Sequence, residues 1–352
     1  MSRSPRPALT ASVALASALF GMSLLSTAAS AQTAADILTY AGPDRAQRLL
    51  DGARKEGTVT LYSSAAAQDM NPQVAAFEKK YGIKVRVWRG SSEDIAHRVT
   101  NEHRAGRYDV DVAETAGPEM EVMVREKLLQ EFRTPVAAGL IPQATLAHHR
   151  WIMTRLSVFV SAYNTNLIKP ADAPKRYEDL LDPKWKGKLA VEADDASWFM
   201  QLAATIGEDK AIKLFRDIVA RNGMSVRKGH TLLANLIPTG EVPLGLTIYT
   251  YRAEQLKREG APIEILHLPP VIALPTGTGI ARNAPHPFAA ALLADFFLTD
   301  AQEILASRGN TPTDPKVKPL PPNLAFIDLA RFLDESGKWT KLYKDIFTEK
   351  GR

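Results

Sequence analysis

From Asp44 onward, short apolar runs alternate with stretches in which apolar residues return every three or four positions. The first pattern reads as buried strand and the second as helix with one inward face. Asp44–Lys55 predicts a helix with Leu49, Leu50 and Ala53 on one side, stopped at Gly57. Val59–Tyr62 follows as a strand, Met70–Tyr81 as a helix carrying Val74, Phe77 and Tyr81, and Ile83–Trp88 as the next strand. Ser91 or Ser92 caps a helix running to about Ala105, and Val110–Ala113 is a third strand. Repeated β-α-β units of this kind predict an α/β fold: a mostly parallel sheet flanked by helices. Ligands of such sheets sit at the carboxyl ends of the strands. The turns at 63–66, 89–92 and 114–117 are therefore the first places to look for binding residues.

Two stretches break this rhythm. Trp151–Tyr163 is extended without a turn signal until Asn164, and Ile263–Ala273 is a second extended connection containing Pro269 and Pro270. Between them lie the strand Leu189–Val191, helices Ser197–Ile206, Asp209–Asn222 and Thr231–Thr239, and the strand Val242–Tyr249. Two crossings predict a discontinuous first lobe (32–156 plus 272–322), a continuous second lobe (157–271), and a two-strand hinge near Ser157 and Pro270. Helices Pro287–Leu298 and Ala301–Arg308 and a Pro-rich surface connection at 311–322 complete the first lobe. Residues 323–352 read as a C-terminal helical tail, with helix from Leu324 to Glu349.

Residues 1–31 change the picture of where the chain works. Arg3 and Arg6, the apolar run Ala8–Leu25 and the small residues Ala29-Ser30-Ala31 predict a cleavable secretory signal peptide and a periplasmic location. No cysteine follows, which excludes a lipoprotein anchor, disulfides, thiolate metal sites and a cysteine nucleophile. Without Arg3 and Arg6, 42 basic residues face 39 acidic ones, and a net charge of +3 is too mild to suggest nucleic acid. Metalloprotease, Gly-x-Ser-x-Gly and phosphate-loop motifs are absent from the sequence, so no enzyme is expected.

Ala162-Tyr163-Asn164-Thr165, the run Asp179-Leu-Leu-Asp-Pro-Lys-Trp-Lys-Gly-Lys188, and Asn283-Ala-Pro-His-Pro287 with Gln302 downstream carry a resemblance. From about Gly57 to Pro312 the chain resembles periplasmic solute-binding proteins of ABC importers, in the family-1 group that includes the ferric-iron binders. The resemblance implies the two-lobed type II periplasmic-binding-protein fold, a monomer, and delivery of a small ligand to an inner-membrane permease. It also implies a ferric ion as cargo; a small organic or phosphorylated anion is the alternative. A periplasmic sensor, or least of all an enzyme, is the alternative role.

The ferric binders hold metal with two neighbouring tyrosines, a His and a Glu, hard oxygen donors dominating as Fe(III) prefers. Here Tyr249 and Tyr251 occupy the tyrosine segment but are separated by Thr250. They share a face if the strand continues, and diverge if a turn begins at Thr250. The first-lobe His is missing, its turn reading Ser63-Ser64-Ala65-Ala66, and Glu114 lies near the acidic ligand. Tyr251, Tyr249 and Glu114 are thus the metal candidates, with Glu114 equally readable as a helix-capping carboxylate. Ligand contacts are expected from Ser64, Ser91, Ser92, Glu114 and Thr115 on one side. Asp195, Ser197, His230, Tyr249 and Tyr251 are expected on the other. Asp194 and Asp195 read either as N-caps or as groups favouring a cation or a hydroxyl-rich solute. Trp198 reads either as a ligand-stacking ring or as core.

Overall fold

The computed structural model describes residues 36–348, so the expected signal peptide lies outside the described residues. Among these, no helix is long and apolar enough to cross a membrane. The chain opens with α1 (Arg45–Glu56), β1 (Thr58–Ser63), α2 (Ala67–Tyr81), β2 (Lys84–Arg89), α3 (Ser92–Arg104), β3 (Val112–Ala116) and α4 (Gly117–Arg125). Ser91 is the cap of α3: its hydroxyl accepts from the Asp94 N–H while the Asp94 carboxylate accepts from the Ser91 N–H. The long extended stretch is β4 (Ile152–Asn164).

β5 (Leu189–Glu192), α5 (Ala196–Ile206), α6 (Glu208–Asn222), β6 (Ser225–Arg227), α7 (His230–Leu236), β7 (Leu244–Tyr249) and α8 (Thr250–Arg258) follow. β8 (Ile263–Leu266) and β9 (Val271–Ile280) replace the single extended connection expected there. The break falls at the Pro269–Pro270 step, which has no N–H to continue a ladder. The chain then runs through α9 (Pro287–Phe297), α10 (Asp300–Ser307), β10 (Thr311–Pro312), β11 (Leu324–Phe326) and α11 (Leu329–Phe347).

The strands form one sheet in the order β2-β1-β3-β9-β4-β7-β5-β6, with β10 and β8 on β4 and β11 on β9. It is mixed rather than mostly parallel. β1 pairs in parallel with β2 and β3, and β5 with β6 and β7, but β4 and β9 run against each other and against β7 and β3 respectively. Two long strands that cross the sheet's middle in opposite directions leave no other arrangement. Pairing with β9 also carries β3 through Ala116, three residues past the expected end, so Glu114 lies within the strand. Gly277 sits where β9 meets β4 most closely: a Cβ there would lie 2.3 Å from the Trp151 ring and 2.5 Å from the Ile152 carbonyl.

The C-terminal segment is not wholly helical. Leu324–Phe326 pairs with Val271–Ala273, and Asp328 then caps α11 by accepting from the Arg331 N–H. α11 buries Trp339, Tyr343, Ile346 and Phe347, setting Phe347 edge-on to Phe199 of α5 and Phe215 of α6 at 5.5 and 5.6 Å. Its outer face is tied by Arg331 and Lys338 to Glu208 of α6, and by Asp334 to Arg125 of α4.

Candidate functional site

The sequence-predicted residues fall into two groups on either side of β4 and β9. On the β1-β3 side, the Ser64 N–H donates to the Glu114 carbonyl and the Thr115 hydroxyl donates to Ser64 Oγ at 3.1 Å. Glu114 is buried, its carboxylate accepting from Ser63 Oγ (2.6 Å) and from the Arg155 guanidinium of β4. It is neither a free carboxylate nor a helix cap; to reach a metal it would have to leave Arg155. Thr115 is fully buried, and the Ser91 hydroxyl serves the α3 cap with Ser92 in the helix's first turn.

The other group is more concentrated. β5 ends at Glu192, α5 begins just after Asp195, α7 begins at His230, and β7 ends at Tyr249. Asp195 holds the N-cap position of α5 but makes no cap bond. Its Oδ1 lies 2.9 Å from His230 Nε2. The imidazole stacks on Tyr249, with ring centroids 3.9 Å apart and planes 12° apart, and Phe159 packs against both rings. Helix α8 does begin at Thr250, which predicted divergence of the tyrosines. Yet the Tyr249 and Tyr251 rings lie 6.0 Å apart and 24° from parallel, so the start of a helix at Thr250 does not separate them. Ser197 is half-buried in the first turn of α5, whereas Trp198 is core, packed on Tyr177 and Phe215.

Sequence reasoning missed four side chains that shape the electrostatics. Glu192 ends a parallel strand, the position already used to select first-side candidates, so the signal was present. Arg155 is a lone charge in an apolar strand. Glu119, in the first turn of α4, and Arg252, in α8, carried no sequence signal. Burial raises the Glu119 carboxyl to about 7, its own N–H opposing and Glu93 adding to the shift. Tyr249 is held well above its usual range by burial, then by Asp195, Tyr251, Glu192 and Glu119. Tyr251 rises through burial and Asp69, against Arg155 and Arg252. For His230, burial disfavours the imidazolium, but Asp195, Glu192 and Asp194 outweigh it and raise the group. Tyr249 and Glu119 come from opposite sides of the sheet's centre and lie within electrostatic range.

The sequence profile of bacterial extracellular solute-binding proteins matches residues 73–325. The chain belongs to that family. This solute-binding protein is 26% identical over 198 residues to the Fe(3+)-binding periplasmic protein of Serratia marcescens, covering 55% of the chain and 57% of that relative. A putative 2-aminoethylphosphonate-binding periplasmic protein of Salmonella typhi is 30% identical over 197 residues, covering 53% and 56%. The chain thus spans little more than half the length of these two relatives. The fold matches iron-bound HitA from Pseudomonas aeruginosa with a TM-score of 0.69 at 22% identity, covering 82% of this chain and 99% of that one. The family consists of solute-binding receptors, not enzymes, as expected from the sequence.

Proposed function

We propose that the chain is the extracytoplasmic receptor of an ABC importer, working in the periplasm as a monomer and delivering its cargo to an inner-membrane permease. Its two lobes, 32–156 plus 272–322 and 157–271, close about β4 and β9 on a small solute with a positive centre. One observation carries the cargo reading: Asp195 and Glu192 overcome burial to raise His230 and add to burial in raising Tyr249, and the Tyr251 ring lies 6.0 Å from that of Tyr249. A site with that field favours a cation. Ferric ion is the cargo that also uses the phenols of Tyr249 and Tyr251, and the Serratia relative bears that name.

A second reading is favoured by Arg155 and Arg252 beside Tyr251. An aminoalkyl phosphonate, the class named for the Salmonella relative, would set its ammonium toward Asp195 and Glu119 and its acid toward the arginines. Titration with ferric citrate followed by visible absorbance, and with 2-aminoethylphosphonate followed by calorimetry, separates the two. A phenolate-to-iron band lost in Tyr251→Phe supports the first, and saturable heat without colour the second. Equal or tighter binding of inorganic phosphate, which has no positive centre, would overturn both.

A further inference from the structure

One oxygen of Asp195 is left without a partner by the role just proposed. The residue is 4% exposed, its Oδ1 is taken by His230, and its Oδ2 has no hydrogen-bond partner among the described residues. Leaving a buried carboxylate oxygen without a donor forfeits its hydration with nothing in return. That side chain does not stand alone. One ligand atom each from Glu192, Asp195 and His230 lie within 4.8 Å of one another. All three residues come from the β5-β7 side, at the end of β5 and the starts of α5 and α7. Glu192 is fixed by N–H groups of Gly229 (2.8 Å) and Asp194 (2.6 Å), and the imidazole by its stack on Tyr249.

We propose that Glu192, Asp195 and His230 form a site for a divalent transition-metal ion, with coordination positions left open to solvent or cargo. Two carboxylates balance a divalent charge, and one imidazole with two carboxylate oxygens is a donor set that zinc and its first-row neighbours accept. The ion supplies the partner that Asp195 Oδ2 lacks. Backbone donors on Glu192 and the aromatic stack on His230 orient the ligands in advance, as outer contacts do in metal sites. The ion's alternative, an imidazolium held by Asp195, leaves one carboxylate charge uncompensated and Oδ2 still unpartnered. This inference goes beyond the cargo reading: none of its donors is a phenol or comes from the β1-β3 side, and it needs no closure.

The test uses the full chain freed of metal with a chelator and titrated with Co2+, following d–d absorption, with Zn2+ as competitor. The expected result is one Co2+ per chain, displaced by Zn2+. Affinity should fall at least about tenfold in Asp195→Asn and in His230→Ala, since loss of even an outer partner costs that much. Tyr251→Phe should leave Co2+ binding unchanged while abolishing any ferric colour, so the two readings fail separately. Circular dichroism of each variant guards against misfolding, and the near-isosteric Glu192→Gln gives an independent third change. A folded wild type that binds no Co2+, or binding indifferent to all three substitutions, overturns the site. So does 2-aminoethylphosphonate blocking Co2+ binding competitively, which would make the trio the cargo's ammonium pocket.

Discussion

Replacing Glu119 by glutamine should stabilise the protein near neutral pH and do nothing in acid. The carboxyl rises from a usual 4.5 to about 7 because it is half-buried in the first turn of α4, with Glu93 nearby. For an acid raised on folding, the neutral form suits the native state. The native protein therefore keeps its full stability below pH 4.5 and loses it as the pH climbs toward 7, where the unfolded chain ionises and the folded chain does not. A shift from 4.5 to about 7, at 1.36 kcal/mol per pH unit, corresponds to about 3 kcal/mol of destabilisation at pH 7.5. Glutamine keeps the shape and removes the charge, so urea unfolding of wild type and Glu119→Gln should coincide at pH 4 and separate by about that amount at pH 7.5. Parallel pH profiles would refute the assignment. Cargo adds a second reading: a cation beside Glu119 favours the ionised form, so capture near pH 7 should release protons, detectable as buffer-dependent heats.

Arg155→Met should cost about 3–5 kcal/mol by stranding the buried Glu114 carboxylate, and the Arg155→Met/Glu114→Gln double variant should recover most of it in urea melts. Phe199→Ala, at the meeting of α5, α6 and α11, should lose about 3–5 kcal/mol by the same measurement. Asp328→Ala removes the α11 cap and should cost about 1 kcal/mol, read as a small drop in thermal midpoint with the helix still formed by circular dichroism.

Elements whose signals are local were legible in the sequence. The α3 cap, the glycine stops and the 3.6-residue periodicities need only neighbours a few residues away, and they placed α1 to α3 and β1 within a few residues. What could not be read depends on partners distant in sequence. β3 is lengthened by β9, β11 exists only because β9 offers it an edge, and the tyrosine convergence depends on how α8 leaves β7. The family motifs explain why the fold was clearer than the cargo. Trp185 Nε1 donates to the Asp179 carbonyl, and Asn222 Nδ2 to that of Leu180. His286 Nδ1 meets Asp111 at 2.9 Å, and Gln302 bridges Thr154 and Thr313. These residues hold elements together and make none of these bonds to the candidate site residues, so they identify the scaffold and say nothing of its cargo.

The packing of α11 sets the order in which the molecule can be completed. The Tyr343 hydroxyl donates to the Glu192 carbonyl across 151 residues of chain, and Trp339 and Phe347 close over Phe199. Everything between must be synthesised before the apolar surface of α5 and α6 is covered. Segment 157–271 expressed alone would keep that aromatic face open to water and would tend to aggregate, whereas co-expression with a peptide spanning 324–348 should restore solubility. The same dependence delays the finished state until late in synthesis, leaving the growing chain in a loosely packed form for longer than a contiguous domain would be.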